Sequence, residues 1–309
     1  MGAHTISLCM IVKDEERVLA RSLDSASGLD AEIVIVDTGS TDLTCDIARR
    51  YGAQIAAFDF SPVDFSAARN QALALAGGRW ILVLDADEVL DPASMPRIQE
   101  LVAADENAGY YFERLNFRPD TQRPARDHVV RLFPNRPDYR YRGRVHETID
   151  ASILSGGGRL VATSIRLVHD FALDPEARRR RNLWYIGILN EELAADPGDH
   201  SRLDFLAAEY HQLGMFDQAA VIAERIAGAR PLDAQAHLHA GVYHLLYTFE
   251  RERARADFAE ALRLRPGYAE AQSFLQLLRE QEQAARQVAQ TKKTKAREAR
   301  LRPNELAGI

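Results

Sequence analysis

The first half of the chain alternates two periodicities. TISLCMIV (5–12) and AEIVIVDT (31–38) are short, mostly apolar runs rich in β-branched residues, the pattern of strands covered on both faces. Between them, EERVLARSLDSA sets Val18, Leu19 and Leu23 at helical spacing. STDLTCDIARRYGA does the same with Leu43, Ile47 and Tyr51; Ser40 or Thr41 is the expected N-cap and Gly52 the stop. A strand near AQIAAFDF follows, then a helix over SAARNQALALA ending at Gly77–Gly78, then a strand at WILVLDA. Four strands joined by helical crossovers predict an α/β fold on a parallel, doubly wound sheet.

After about residue 108 the helical period is lost. GYYFERLNF, HVVRLFP, YRGRVHETI and RLVATSIRLVHD read as strands that extend the sheet, with SGGG (155–158) expected as a hairpin turn. From residue 175 the pattern is almost wholly helical. Pro197, Pro231 and Pro266 lie about one tetratricopeptide (TPR) period of roughly 34 residues apart. Leu203, Ala207, Tyr210 and Ala219, then Gly241, Ala254, Phe258 and Ala261, fall near the small and large packing positions of that repeat. The expected organisation is an α/β domain over 1–174, a TPR-like helical domain over 175–283, and a basic, flexible tail over 284–309.

Composition narrows the setting. Of 309 residues 46% are hydrophobic and 27% charged, with a formal net charge of -6, which argues against nucleic acid as the main partner. Two cysteines, Cys9 and Cys45, imply no disulfide framework. The apolar run near the start is far short of the roughly 20 residues a membrane helix needs, and it lacks a basic n-region. A cytoplasmic protein without a membrane span is expected. The basic tail adds an alternative, weak attraction to an anionic surface, which would place the protein peripherally at the inner membrane face.

The chemistry concentrates in RWILVLDADEVLDPASM, where a strand runs straight into Asp85, Asp87 and Glu88. Buried acids are costly unless something meets them. In an extended strand Asp85 and Asp87 share a face about 7 Å apart. Asp91–Pro92 already supplies the cap of the next helix, so these two acids have no local structural task. Ligands of open α/β sheets sit beyond the carboxyl ends of the strands, and carboxylates there suit a hard divalent cation bridged to substrate phosphates. Asp37, ending the second strand, is either a turn residue or an acceptor for a base or ribose. Lys13, Asp14, Glu15 and Glu16 follow the first strand, most of them expected in the first turn of a helix and one facing a ligand.

Four segments together, SLCMIVKDEERVLARSLDSA, EIVIVDTGSTDLTCDIARRYGA, DFSAARNQALALAGGRWILVLDADE and GRVHE, resemble the family 2 glycosyltransferases of GT-A fold. The similarity is closest to the bacterial branch carrying TPR-like helices, including sublancin-type peptide S-glucosyltransferases, and spans residues 5–172. The resemblance implies a nucleotide-diphospho-sugar transferase that moves a hexose from a UDP-sugar with inversion, using Mg²⁺ or Mn²⁺. It places the family's Asp-x-Asp motif on Asp85-Ala86-Asp87, with Asp87 the metal ligand and Asp85 on the ribose or a metal-bound water. It further implies that Asp37 reads the base, Arg69 lies near the nucleotide phosphates, and His169 completes the metal shell. Glu147 is the implied catalytic base, ahead of Asp170; its alternative is an ion pair with Arg142 or Arg144. His146 points to the opposite face in an ideal strand, and an irregular loop would bring both residues in. Lys13-Asp14 stands where many relatives carry asparagine. Arg178 to Arg181 either meet surface acids or reach the diphosphate. The acceptor is a peptide, a lipid-linked substrate or a glycan, and the helices offer a surface for a protein partner.

Other classes fit less well. A response-regulator receiver also gathers acids at strand ends, but the extra strands and GRVHE have no place in it. No Walker A or dinucleotide glycine pattern is present. The remaining alternative is a non-catalytic TPR scaffold with a nucleotide-sugar-binding domain.

Overall fold

The computed structural model describes residues 5–117, 123–170 and 175–300, with the side chains of Asp170 and of residues 295–300 left aside. It divides into two compact units, residues 1–178 and 179–309.

In the first unit eight strands form one sheet: β1 (Ile6–Val12), β2 (Glu32–Asp37), β3 (Gln54–Ala57), β4 (Trp80–Val83), β5 (Glu88–Leu90), β6 (Ala108–Phe117), β7 (Ala125–Pro134) and β8 (Arg159–Asp170). Their order is β3-β2-β1-β4-β7-β6-β8-β5. The first four pair in parallel, as the crossover pattern requires. β7 then joins β4 antiparallel, β6 joins β7 antiparallel, and β8 runs parallel to β6. β5 closes the far edge antiparallel to β8, with Glu88 opposite His169. Helices α1 (Leu19–Ala26), α2 (Thr44–Arg50) and α3 (Phe65–Leu75) make the crossovers, and α4 (Met95–Ala104) and α5 (Asp150–Ser155) follow.

Both faces of β1, β4 and the middle of β2 are buried, which explains their near-continuous apolar runs. Ile6, Leu8, Met10, Trp80 and Leu82 pack with Leu19 and Leu23 of α1, Ile47 of α2 and Ile98 of α4. Their alternate neighbours Cys9, Val34, Val36, Ile81 and Val83 pack with Ala68, Ala72 and Leu73 of α3 and Ile153 of α5. Helices on both faces make the parallel half doubly wound.

Three local expectations are corrected. YRGRVHETI forms no strand: residues 141–149 are a loop pinned by one bridge, Arg142 to Thr148, with positive φ at Gly143 and His146. SGGG is not a hairpin turn but the link from α5 into β8, whose neighbours are β6 and β5. Gly156 and Gly158 serve close packing, a Cβ on Gly158 falling 2.5 Å from Tyr139 Oη, and Gly157 supplies a positive φ. Finally, Ser40 and Thr41 do not cap α2. Asp42 Oδ1 accepts from Thr44 N at 2.9 Å and Glu16 Oε2 from Leu43 N at 3.1 Å, satisfying the helix's first free N–H groups.

In the second unit α7 (His200–Gln212) and α8 (Phe216–Ala229), then α9 (Ala234–Leu246) and α10 (Arg251–Leu264), form successive helix pairs. They follow α6 (Pro175–Ala195) and precede α11 (Ala269–Arg300). Asp199 and Asp233 cap α7 and α9 at matching points of the repeat. Gly241 makes room for Phe258, whose ring a Cβ would approach to 2.7 Å, and Phe258 stacks on Phe274 at 4.9 Å. The basic segment after residue 283 is helical as far as Arg300, and residues 301–309 lie outside the described ones. No helix among the described residues is long and apolar enough to cross a membrane.

Gly78 gives a direct test of sheet packing. A Cβ there would meet Ser7 N at 2.7 Å and Ile6 C at 2.8 Å, both backbone, whereas one on Gly77 meets only the Glu32 carboxylate at 3.4 Å. Gly78→Ala should cost about 1–3 kcal/mol in urea unfolding and Gly77→Ala under about 0.5 kcal/mol. Equal costs would contradict the packing of the β4 entrance against β1.

Candidate active site

The carboxyl ends of β1, β2 and β4 open on one rim of the sheet, and loops stitch the rim together. Asp14, in the left-handed region, donates its N–H to Ser40 Oγ at 3.0 Å and accepts from Thr41 N at 2.7 Å. Glu15 N donates to Thr44 Oγ1 and Glu16 N to Asp42 Oδ2. These acids therefore join two loops rather than lining the first turn of α1, which contains no acid. Asp37 accepts from Ser40 N at 3.1 Å and from Gly39 N at 3.3 Å, so it does serve as the turn residue.

The acids after β4 do not continue the strand. β4 ends at Val83, and Glu88 N donates to Asp85 O at 3.0 Å, closing a turn over Asp85–Glu88. The expected shared face of Asp85 and Asp87 is corrected accordingly: the turn sends them to different partners. Asp85 Oδ1 accepts from Arg69 Nη2 at 2.7 Å and Oδ2 from Arg131 Nη2 at 2.6 Å. Burial opposes its ionisation, but Arg131 and Arg69 outweigh that and hold Asp85 far below the usual carboxylate range. Asp85 thus has a structural task that its own neighbourhood in sequence does not reveal.

Arg69 comes from α3, whose start is capped by Asp64. Its Nε donates to Glu147 Oε1 at 2.6 Å, and its guanidinium lies 5.5 Å from the centre of the Tyr141 ring. Glu147 therefore has an arginine partner, though from α3 rather than from its own loop; Arg144 Nε donates instead to Val63 O. Arg131, in the apolar run of β7, also reaches Glu88 Oε1 at 2.5 Å, and Glu88 is wholly buried. Arg114 of β6 adds a 3.3 Å contact to Glu88 Oε1 and pairs with Asp127. Glu147, Arg69, Asp85, Arg131, Glu88, Arg114 and Asp127 form one chain of alternating charge.

A cavity of about 150 Å³ adjoins this chain, with Arg69, Arg131, Tyr141 and Glu147 among its walls. Arg69 Nη1, Arg131 Nε and Tyr141 Oη are buried without a protein partner. Buried polar atoms rarely stay so, and these mark where water or the oxygens of a ligand complete the site.

The other acid of the turn faces His169. Asp87 Oδ2 lies 3.0 Å from His169 Nε2, while His169 Nδ1 lies 2.7 Å from Asn116 Oδ1. Burial works against a protonated ring, but the hydrogen bond and charge of Asp87 prevail and raise the His169 pKa. Asp87 is 40% exposed and His169 12%. Two neighbouring ligands of an octahedral cation at about 2.1 Å lie about 3 Å apart, so this separation fits a shared Mg²⁺ or Mn²⁺. Asn116, holding the far ring nitrogen, fixes the imidazole as the outer partner of a metal ligand does. A second group of ligand-type atoms, on Glu224, His244 and Glu250 of the helical unit, lies within 4.8 Å of one another. There Arg253 already contacts Glu224 and Glu250, and His244 Nδ1 pairs with Asp257.

Arg131, Arg114 and Asn116 were not singled out in the sequence, and Glu88, named there with the other acids, was given no partner. An arginine inside HVVRLFP was the available signal, since a charge in a buried strand demands a partner. The sequence also left open which acid of KDEE faces the site. Among these acids Glu15 stands apart: burial, then the charges of Asp87, Asp42 and Asp85, push its carboxyl up to about 7. The side chain of Asp170, the second base candidate, lies outside the described ones; Arg178 ends the first unit and Arg179 to Arg181 begin the second.

Residues 7–166 match the family model described as Glycosyl transferase family 2. A TPR repeat-containing protein of Synechococcus elongatus is 41% identical over 150 residues, covering 48% of this chain and 36% of that protein. An uncharacterised glycosyltransferase of Rickettsia conorii is 29% identical over 122 residues, 38% of this chain and 43% of its own length. The SPbeta prophage-derived glycosyltransferase SunS of Bacillus subtilis is 26% identical over 236 residues, 70% of this chain and 51% of its own. The chain thus spans between about a third and a half of these relatives' lengths. The crystal structure of S. aureus TarS 1-349 in complex with UDP-GlcNAc aligns with 85% of this chain and 93% of its own at 13% identity, with a TM-score of 0.49.

The raised Glu15 carboxyl has a measurable consequence. The folded group ionises near 7 against an ordinary value of 4.5, so native stability falls as pH rises between those values and the loss is complete above them. Glu15→Gln should therefore raise the melting temperature at pH 8 and leave it unchanged near pH 4. A variant no more stable than the parent at pH 8 would contradict this placement of Glu15 among the acids.

Proposed function

Because the chain belongs to glycosyl transferase family 2, we propose that it transfers a hexose from a UDP-sugar, with inversion, to an acceptor that is a peptide, a lipid-linked substrate or a glycan. The observation that carries this reading is the Asp87–His169 pair, 3.0 Å apart beside the carboxyl ends of the parallel strands, within a domain of that family. Asp87 and His169 would hold Mg²⁺ or Mn²⁺, which when bound supplies positive charge against the donor's diphosphate as its negative charge grows.

The protein's own groups divide the remaining work. Asp37 and the 39–41 turn receive the base, and Asp85, locked between two arginines, orients the ribose. Arg69 lies between Asp85 and Glu147 and so relates the nucleotide end of the site to the acceptor end. Glu147 takes the proton of the acceptor hydroxyl or thiol. The freed electron pair attacks the anomeric carbon opposite the diphosphate, and the bond to the phosphate oxygen breaks with its electrons leaving on UDP. The small polar cavity beside Glu147 is where the acceptor's reacting group enters. The helical unit, with its TPR-like pairs, offers the surface for a larger acceptor or a protein partner.

Titration calorimetry with UDP, with and without Mn²⁺, tests the reading. Wild type should bind UDP more tightly with the metal. Asp87→Ala should lose that difference while its melting temperature stays near wild type, since the Asp87 side chain is 40% exposed and such a pair contributes about 1 kcal/mol at most. UDP binding indifferent to metal in wild type would favour the scaffold alternative. Glu147→Gln keeps an acceptor for Arg69 Nε; it should bind UDP as wild type does and lose transfer by roughly 10²-fold or more. Full transfer by that variant would remove Glu147 as the base.

A further inference from the structure

We propose that Glu88 and Arg131 are positioning residues that set the Asp85–Glu88 turn and so hold Asp87 within reach of His169. The inference rests on the reading of Asp87 and His169 as the cation's ligands and adds two residues that are not among those ligands.

Glu88 grips the first residue of the turn it closes through both backbone and side chain. Its N–H donates to Asp85 O at 3.0 Å and its Oε2 accepts from Asp85 N at 3.1 Å. Its Oε1 accepts from Arg131 Nη2 at 2.5 Å and from Arg114 Nη1 at 3.3 Å. Glu88 also opens β5 and lies opposite His169 in the pairing with β8. One fully buried residue therefore holds the loop that carries Asp87 through its carboxylate and lies opposite His169 through its backbone pairing in β5. Arg131 is the second anchor: one nitrogen, Nη2, bridges Asp85 Oδ2 and Glu88 Oε1 from β7 in the middle of the sheet. Asp87, by contrast, is 40% exposed, and His169 Nε2 is the partner seen for its carboxylate. An exposed carboxylate on a four-residue turn keeps its place only if the turn is held from below.

Removing Glu88 or Arg131 alone leaves an uncompensated buried charge, so such a variant reports on folding as much as on the site. The double variant Glu88→Gln with Arg131→Met removes both charges and keeps an acceptor for Asp85 N. We expect it to unfold cooperatively as wild type does and to lose at least tenfold of the Mn²⁺-dependent gain in UDP affinity, read as the ratio of affinities with and without the metal in the same variant. Arg131→Lys keeps the charge but gives up the arginine's fixed fork; it should lose the same gain in smaller measure. A double variant that retains the full manganese effect overturns the inference alone. Failure of both variants to fold assigns the pair to stability only and overturns it too. No manganese effect in wild type overturns the reading of the site, and this inference with it.

Discussion

The turn that carries Asp87 depends on a row of charges, most of them buried, that must be neutralised. Glu147, Arg69, Asp85, Arg131, Glu88, Arg114 and Asp127 alternate in sign, with bonded contacts from 2.5 to 3.3 Å. Taking a charge out of water costs several kcal/mol, and alternation is what lets each group offset its neighbours. Four carboxylates surround three guanidinium groups, so the row carries a net negative charge before any ligand arrives. A cation beside Asp87 is electrostatically welcome in such a place, where burial first and then the charges of Asp87, Asp42 and Asp85 raise the carboxyl of Glu15.

The frame of this arrangement was legible in the sequence. Apolar runs at 5–12, 31–38 and 80–83, with helical spacing between them, define the parallel strands, because strands covered on both faces admit few polar residues. The acids at their ends stood out for the same reason. Their partners did not: Arg69 and Arg131 lie 16 and 46 residues from Asp85, and local patterns carry no record of such pairings. The assumption of an extended strand through Asp87 also failed, because one backbone hydrogen bond from Glu88 turns the chain and separates the two aspartates. GRVHE misled similarly. Its alternating pattern suggests a strand, but positive φ at Gly143 and His146 makes it a loop.

The helical unit was easier to read, since each repeat packs mainly against its neighbours. Gly241 facing Phe258, and aspartates capping α7 and α9, are consequences of local spacing. What spacing could not show is the buried His244, held between Asp257 at 2.7 Å and Glu224 at 3.0 Å, which links α8, α9 and α10 through polar contacts. Its histidine and acids resemble a metal site in composition, but Arg253 already pairs with Glu224 and Glu250, and Asp257 with His244.

The most direct test of the account is anomalous diffraction from crystals of the protein grown with UDP and Mn²⁺. The account predicts one strong manganese peak within about 2.3 Å of Asp87 Oδ and His169 Nε2, against the diphosphate oxygens. A peak at Glu224, His244 and Glu250 instead, or UDP bound at the rim with no metal beside Asp87, would contradict it.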